Sequence, residues 1–216
     1  MNEPVRKRGR PATFDQAAAL DVAATLFQRH GFDGTSIAML TEGTGVTAPT
    51  LYAAFGSKEE LYSRALAHYQ QRGRDARISL PYPRSSVYRT VETFLRQAAI
   101  RFADPKGPKG CMVATGSLAC GTESQSAAET TACARRTSLE AFVVQLEQAK
   151  RDGELPVDTD SEALARFYSA VVQGMSVQAI DGADTTNLNA LVDIALAAWP
   201  KKSPRAERRA PAGRKG

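Results

Sequence analysis

Hydrogen-bonding side chains and helix-capping residues are concentrated between Thr35 and Glu60, in the segment TSIAMLTEGTGVTAPTLYAAFGSKEE. Thr47, which we expect to cap a helix, and Thr50 can donate hydrogen bonds to phosphate or base oxygens. Ala48 can place a methyl group against thymine, and Thr35 or Ser36 can anchor a phosphate on the other flank. This chemistry is typical of binding to nucleic acid.

Residues arranged for catalysis are not found elsewhere in the sequence. The two histidines, His30 and His68, do not lie beside a nucleophile motif, and the chain contains no GxSxG, P-loop or GxGxxG pattern. We therefore predict that the protein is not an enzyme and needs no cofactor.

The three cysteines, Cys111, Cys120 and Cys133, are an odd number without a CxxC pair. This argues against a disulfide framework or a zinc site and fits a reducing compartment. Isolated cysteines are usually small core residues, but a thiol-sensing or metal-sensing role for these three stays open.

Positive charge is concentrated at the two ends of the chain. The net charge is +5, with +3 in residues 1–10 and +6 in residues 201–216, so the body between them carries −4. Basic tails attract polyanions by releasing counterions, and nucleic acid is a common partner. We expect the N-terminal arm to enter a minor groove through Arg6, Lys7, Arg8 and Arg10. The C-terminal tail is either a second such segment or a solvated, disordered end.

Composition indicates a globular protein, with 43% hydrophobic and 24% charged residues. No apolar run approaches the roughly 18 residues that span a bilayer, and no signal peptide follows the basic start. We expect a cytoplasmic protein without a membrane partner.

The elements that position the binding residues are helices, because no stretch alternates like a strand. Gly45 provides the left-handed turn before a short helix, Ala48–Phe55, whose Leu51 and Phe55 face the core. Ser57–Glu60 is a capping box that opens the next helix. The sequence predicts an all-α fold of about nine helices, in which a three-helix helix-turn-helix domain precedes larger helices over residues 86–103, 124–151, 161–180 and 186–199.

The residues from Phe14 to Leu61 resemble the DNA-binding domain of tetracycline-repressor-type (TetR/AcrR) regulators. The resemblance lies in ALDVAATLFQRHGF, GTSIAML and above all GVTAPTLYAAFGSKEEL. The GRP of the arm, GCMVA and GMSVQAIDGA are similar to one broad subgroup. The resemblance implies an arm over residues 1–12, a DNA-binding domain over 13–72, an effector-binding and dimerisation domain over 73–200, and a tail over 201–216.

The same resemblance implies that Tyr52 and Lys58 contact backbone phosphates. The alternatives are a half-buried tyrosine packed against the first helix and an ordinary surface lysine. Ala53 and Ala54 stand where several family members carry larger polar or aromatic residues, so the arm and DNA shape are expected to supply much of the specificity.

The last two helices are expected to form the dimer interface, through Phe167, Val171, Gly174, Met175, Leu191, Ile194 and Ala195. The alternative is an ordinary pair of helices within one chain. An effector pocket for an apolar or aromatic molecule is expected among Phe94, Phe102, Met112, Phe142 and Phe167, each of which is otherwise plain core.

These features together predict a homodimeric, ligand-responsive regulator that represses transcription from an inverted-repeat DNA operator and is released by a small molecule. Activation stays open as the direction of control. A helical protein-interaction module without specific DNA binding, and a regulator that senses thiol chemistry or metals through its cysteines, are the alternatives.

Overall fold

The computed structural model describes residues 14–78, 86–118 and 120–201, with side chains of 74–78 excepted. Nine α-helices and one 3-10 turn, Thr122–Ser124, lie in these ranges, and no strand does. The predicted all-α fold is confirmed. The helices are α1 Gln16–Gly34, α2 Ile37–Thr44, α3 Ala48–Phe55, α4 Lys58–Ile78, α5 Val87–Phe102, α6 Met112–Thr115, α7 Gln125–Arg151, α8 Ser161–Ile180 and α9 Thr185–Ala197.

Local capping explains where the first helices begin. The Asp15 side chain accepts hydrogen bonds from the N–H groups of Ala17 and Ala18 at the start of α1. At the start of α4 the Ser57 hydroxyl accepts the Glu60 N–H, and the Glu60 carboxylate accepts the Ser57 N–H, both at 3.2 Å. The predicted capping box is therefore confirmed.

The turn between α2 and α3 depends on Gly45, which has φ +71° and ψ +14°. A left-handed conformation of this kind is cheap for glycine alone, so the predicted tight turn is confirmed. A second glycine with positive φ, Gly31 (φ +71°, ψ +177°), puts a kink near the end of α1, after which one short turn continues to Gly34. The straight part of α1 therefore ends at Gly31.

Two hydrophobic clusters form the core. The first holds the buried residues of α1 to α4, and it also includes Met112 of α6 and Ala127 of α7. The second is formed by α5, α7, α8 and α9 around Leu95, Leu146 and Met175. Because α6 and α7 contribute to the first cluster, the N-terminal helices are packed directly onto the larger helical body.

No helix among the described residues is both long enough and apolar enough to cross a bilayer.

Candidate nucleic-acid interface

The third helix is anchored by one face and exposes the other. Leu51 and Phe55, four residues apart, are almost completely buried. Pro49, Tyr52, Ala53 and Gly56 follow the i, i+3, i+4, i+7 spacing of one helical face, and all are exposed. Tyr52 is 48% exposed, so about half of this residue is accessible on this face. The segment thus presents α3 as a rigid, uncharged ridge.

The N-terminus of α3 is left open by its neighbouring side chains. Thr47 occupies the N-cap position, but its hydroxyl makes no capping hydrogen bond, contrary to the expectation. That hydroxyl lies 2.9 Å from the Thr50 hydroxyl instead. Pro49 has no N–H to satisfy, so the N–H groups of Ala48 and Thr50 remain at the positive end of the helix dipole without a side-chain cap. An anionic phosphate suits this position.

Thr35 cannot contact DNA in this structure, which corrects the expectation for that residue. Its side chain is fully buried, and its hydroxyl donates to the carbonyl oxygen of Gly31 at 2.7 Å. Ser36, the other candidate, is exposed at the start of α2, where its hydroxyl caps the helix by accepting the Met39 N–H. Only Ser36 is available on this flank.

Lys58 is directed inward rather than toward solvent. Its ammonium nitrogen lies 4.3 Å from the centroid of the Phe32 ring, a cation–π contact between α4 and the end of α1. A phosphate contact by Lys58 would require its side chain to leave this ring. Lys58 can therefore either contact a phosphate, as the family resemblance implies, or pack on the Phe32 ring, but not both at once.

Charge within the N-terminal helices is nearly balanced. Residues 14–78 contain six Lys and Arg against seven Asp and Glu, and so carry a net charge of −1 with histidine neutral. The predicted arm residues Arg6, Lys7, Arg8 and Arg10, and the tail beyond Lys201, lie outside the described residues. The net charge of the described N-terminal helices therefore offers no overall attraction to polyanionic DNA.

A polar cluster fixes the angle between α1 and α4. Asp21 of α1 accepts hydrogen bonds from His68, at 2.7 Å, and from Arg72, both on α4. Burial disfavours the Asp21 carboxylate, but the hydrogen bonds from His68 and Arg72 outweigh this and hold its pKa below the ordinary value. This cluster could not be predicted from local patterns, because Asp21 lies 47 residues from His68 and 51 residues from Arg72.

Asp21→Asn is expected to lower the free energy of unfolding by about 0.5–1 kcal/mol at pH 7, since the pair is partly exposed. A depressed carboxyl pKa contributes stability above the unfolded-state value near 4, and that contribution is lost as the pH falls through the folded-state value. Urea denaturation of both proteins at pH 7 and pH 3 tests this. The difference between the two proteins should be smaller at pH 3 than at pH 7, and Asp158→Asn, at an exposed loop position, should leave the free energy of unfolding at pH 7 unchanged.

The segment 108–111 connects the N-terminal helices to α8. The Gln28 side-chain amide of α1 donates to the carbonyl oxygens of Pro108, at 3.0 Å, and Gly110, at 2.8 Å. The next residue, Cys111, donates its N–H to the Ser176 hydroxyl of α8 at 2.8 Å. Helices α1 and α8 are therefore hydrogen-bonded to the same short piece of chain.

Tyr69 of α4 joins the same contact. Burial first, and then the neighbouring Cys111 thiol, raises the pKa of the Tyr69 hydroxyl far above its usual value. The hydroxyl remains protonated and contacts Cys111 and the backbone of Met112. Tyr69 of α4 and Ser176 of α8 thus both contact Cys111, while Gln28 of α1 contacts the residues just before it.

The five residues expected to line an effector pocket are not gathered around one cavity. Met112 is buried in the first cluster, Phe102 is buried in the second, and Phe167 is 41% exposed. Phe94 and Phe142 are half-buried against the second cluster. An apolar residue type alone does not show whether a side chain belongs to the packed core or lines a cavity.

An open cavity of about 400 Å³ occurs at another place, between α5 and α9. Its lining mixes aromatic, charged and aliphatic side chains: Tyr88, Arg96, Asp193, Leu196, Ala197, Trp199 and Lys201. None of these was predicted to line a pocket, because their pattern in the sequence is that of an ordinary amphipathic helix pair.

Two of the expected interface residues are core residues. Met175 and Ala195 are buried within their own chain, and Val171 and Leu191 are half-buried against the second cluster. Phe167 and Ile194 are exposed, Ile194 at 77%, and a Cβ added to Gly174 would meet nothing within 4 Å. The interface candidates therefore reduce to the outward-facing members.

Uncovered apolar stripes extend these outward-facing residues along both helices. On α8 the residues at helical spacing are Ala163, Phe167, Ala170, Gly174 and Val177, and on α9 they are Ala190, Leu191, Ile194, Ala197 and Ala198. All of these are exposed or half-exposed. Sequence reasoning missed the alanines and Val177, although their i, i+3, i+4 spacing carried the signal. We call them the α8–α9 stripes.

The three cysteines are free and do not meet. Cys111 and Cys120 are half-buried, and Cys133 is exposed. Within the described parts of the chain no group of three or more His, Cys, Asp or Glu side chains could hold a metal ion.

A three-helix N-terminal unit that exposes its third helix, followed by a larger helical body, defines a helix-turn-helix protein. The family model for bacterial regulatory proteins of the tetR family matches residues 19–65, and the tetracyclin repressor-like C-terminal domain matches residues 88–194. The HTH-type transcriptional repressor ComR of Escherichia coli (strain K12) is 36% identical over 201 residues, covering 91% of this chain and 94% of ComR. The chain belongs to the tetR family of bacterial regulatory proteins.

Further relatives agree with this assignment. The HTH-type transcriptional repressor BdcR, also of Escherichia coli (strain K12), is 28% identical over 190 residues, covering 88% of this chain and 91% of BdcR. Among solved structures, a cysteine mutant of the TetR family regulator CifR, complexed with 26-base-pair operator DNA, is 40% identical. It matches 88% of this chain and 100% of its own with a TM-score of 0.80.

Proposed function

We propose that this chain is a ligand-responsive transcriptional repressor that binds an inverted-repeat DNA operator as a homodimer. The observation that carries the proposal is the α3 ridge, held by buried Leu51 and Phe55 and open at its N-terminus. The similarity to the repressor ComR and to the operator-bound CifR supports it. As a regulator, the chain is expected to have no catalytic activity of its own.

The working division of the chain follows from this role. Residues 13–72 bind DNA, with the arm of residues 1–12 in the adjoining minor groove. Residues 73–200 hold the effector and form the dimer, and residues 201–216 are a basic tail. The DNA contacts are the arm residues, Ser36, Thr47, Ala48, Thr50 and Tyr52, with Lys58 available if it leaves Phe32.

Dimerisation places two α3 helices on one face of the DNA. The α8–α9 stripes are the surface for it, because Phe167 and Ile194 would otherwise remain in water. An isologous contact between two copies of these stripes creates the two-fold axis that an inverted repeat requires.

Release follows from a change in the angle of α4. An effector that separates α5, α7 and α8 would move the 108–111 segment, and with it Gln28 of α1 and Tyr69 of α4. The two α3 helices would then no longer match the spacing of two half-sites.

Modification of Cys111 is a second way to release the DNA. The thiol contacts Tyr69 of α4, and the backbone N–H of the same residue is bonded to Ser176 of α8. A group added to the thiol would separate these helices. If Cys111 is the sensor, Cys111→Ser will bind DNA normally but fail to release it after treatment with an alkylating reagent, whereas Cys133→Ser will release it.

Selection of bound duplexes from random DNA tests the main proposal. The full-length protein should recover a short inverted repeat. Recovery of unrelated sequences, with an affinity that does not change with salt, would favour a helical interaction module instead.

Tyr52→Phe is expected to weaken binding to the selected duplex roughly tenfold, because each subunit loses one hydrogen bond to a phosphate. The melting temperature should not change measurably, since Tyr52 is exposed. Fluorescence anisotropy and thermal melting provide the two measurements.

Tyr168→Phe is the matched control for this change. It removes a buried hydroxyl that donates to the Ala195 carbonyl oxygen at 3.0 Å. It should lower stability by about 1 kcal/mol and leave DNA affinity unchanged. A destabilised Tyr52→Phe protein would mean that this side chain is structural.

A further inference from the structure

The exposed face of α3 carries no side chain that can recognise a base by paired hydrogen bonds. Its eight residues, APTLYAAF, include no Arg, Lys, Asn, Gln, Asp or Glu. Guanine is usually read by Arg or Lys, adenine by Asn or Gln, and cytosine by an acidic side chain. None of these three readouts is available to this helix.

The hydroxyl groups on α3 offer little to replace them. Thr47 and Thr50 are 2.9 Å apart and satisfy one another in part, and Tyr52 is expected to bind phosphate. What remains is apolar: the exposed methyl group of Ala53 and ring of Pro49, and the half-exposed methyl group of Ala48. The only apolar group that a base presents in the major groove is the 5-methyl of thymine.

The alanine methyl groups lie on a helix that is anchored to the rest of the domain. The C-terminal end of α3 is fixed by Arg64 of α4, which donates to the carbonyl oxygen of Ala54 at 3.3 Å. Leu51 and Phe55 are buried on the opposite side. Short side chains beside exposed Gly56 also allow the helix backbone to approach the groove floor closely.

We propose that α3 reads its half-site through thymine 5-methyl groups, which pack against Ala53 and Ala48. This inference rests on the proposed DNA-binding function and names what the helix recognises. Each half-site then contains thymine under Ala53, and its identity is set by apolar contact rather than by hydrogen bonding.

Deoxyuridine provides the direct test, because it differs from thymidine only by the missing methyl group. The duplex selected by the full-length protein is synthesised with one thymine replaced in each half-site, for every thymine in turn. At the contacted position we expect about a fourfold loss per methyl group, and therefore roughly tenfold or more for the symmetric pair. At the same position 5-methylcytosine should bind more tightly than cytosine.

Ala53→Gly links the effect to one side chain. Glycine lowers the overall affinity by weakening the helix, but the difference between thymine and uracil at the contacted position should disappear. Ala67→Gly, at an exposed position of α4, is the matched control and should keep that difference.

Two results are distinguishable. A selection that yields no inverted repeat removes the proposed function itself. A selected inverted repeat whose affinity stays within twofold for uracil at every thymine leaves that function standing and overturns the thymine readout.

Discussion

Ile194→Glu is expected to convert the protein to a monomer and to lower its affinity for the selected duplex by at least 100-fold. Ile194 is 77% exposed on α9, in the α8–α9 stripes. A two-fold interface brings both copies of a residue into the same contact region, so the substitution adds two carboxylates to an apolar interface. Each carboxylate must lose water without a partner, which costs several kcal/mol.

Sedimentation analysis and anisotropy measure the two parts of this prediction. Val144→Glu is the matched control, because Val144 is 64% exposed on α7 and lies outside the stripes. That variant should remain a dimer with unchanged affinity. A dimeric Ile194→Glu protein that still binds DNA would place the interface elsewhere.

Replacement of Arg6, Lys7, Arg8 and Arg10 by alanine is expected to weaken DNA binding by about two orders of magnitude near 0.15 M salt. The dimer loses eight positive charges, while residues 14–78 carry a net charge of −1 per chain. If about half of the eight contact phosphates, the slope of log affinity against log salt should become shallower by roughly 3–4. The melting temperature is the control and should not change.

The basic tail provides a control with the same loss of charge. Alanine at Arg205, Arg208, Arg209 and Arg214 also removes four positive charges per chain. We expect less than a fivefold loss of affinity. Equal losses for the two variants would show that total charge matters, and that the arm has no special position on the DNA.

Features set by neighbouring residues could be predicted from the sequence. The left-handed Gly45, the capping box of Ser57 and Glu60, and the buried Leu51 and Phe55 each depend on residues within four positions of one another. Local chemistry decides such features, so the helix-turn-helix was recognisable before the structure.

Features that depend on distant partners could not be predicted. Thr35 is a good capping residue in sequence, but a hydrogen bond to Gly31 and complete burial remove it from the surface. Lys58 is a typical surface residue until the fold places Phe32 beneath it. Met175 and Ala195 fit an interface pattern equally well, yet packing within the chain buries both.

The residues that line an effector site were the feature least accessible to prediction from the sequence. Phe102, Met112 and Phe142 share an apolar residue type, but the fold distributes them between two clusters. A cavity forms where side chains leave the space between helices unfilled, and the pattern of residues in the sequence does not show where this happens. The 108–111 segment was equally hidden, because Gln28 reaches it across 80 or more residues.

The most direct test of the central claim is the affinity for the selected inverted repeat compared with a duplex in which one half-site is scrambled. Two α3 helices joined through the α8–α9 stripes should bind the intact repeat at least 100-fold more tightly, because the scrambled duplex engages only one of them. Equal affinity for the two duplexes would contradict a two-fold DNA-reading dimer.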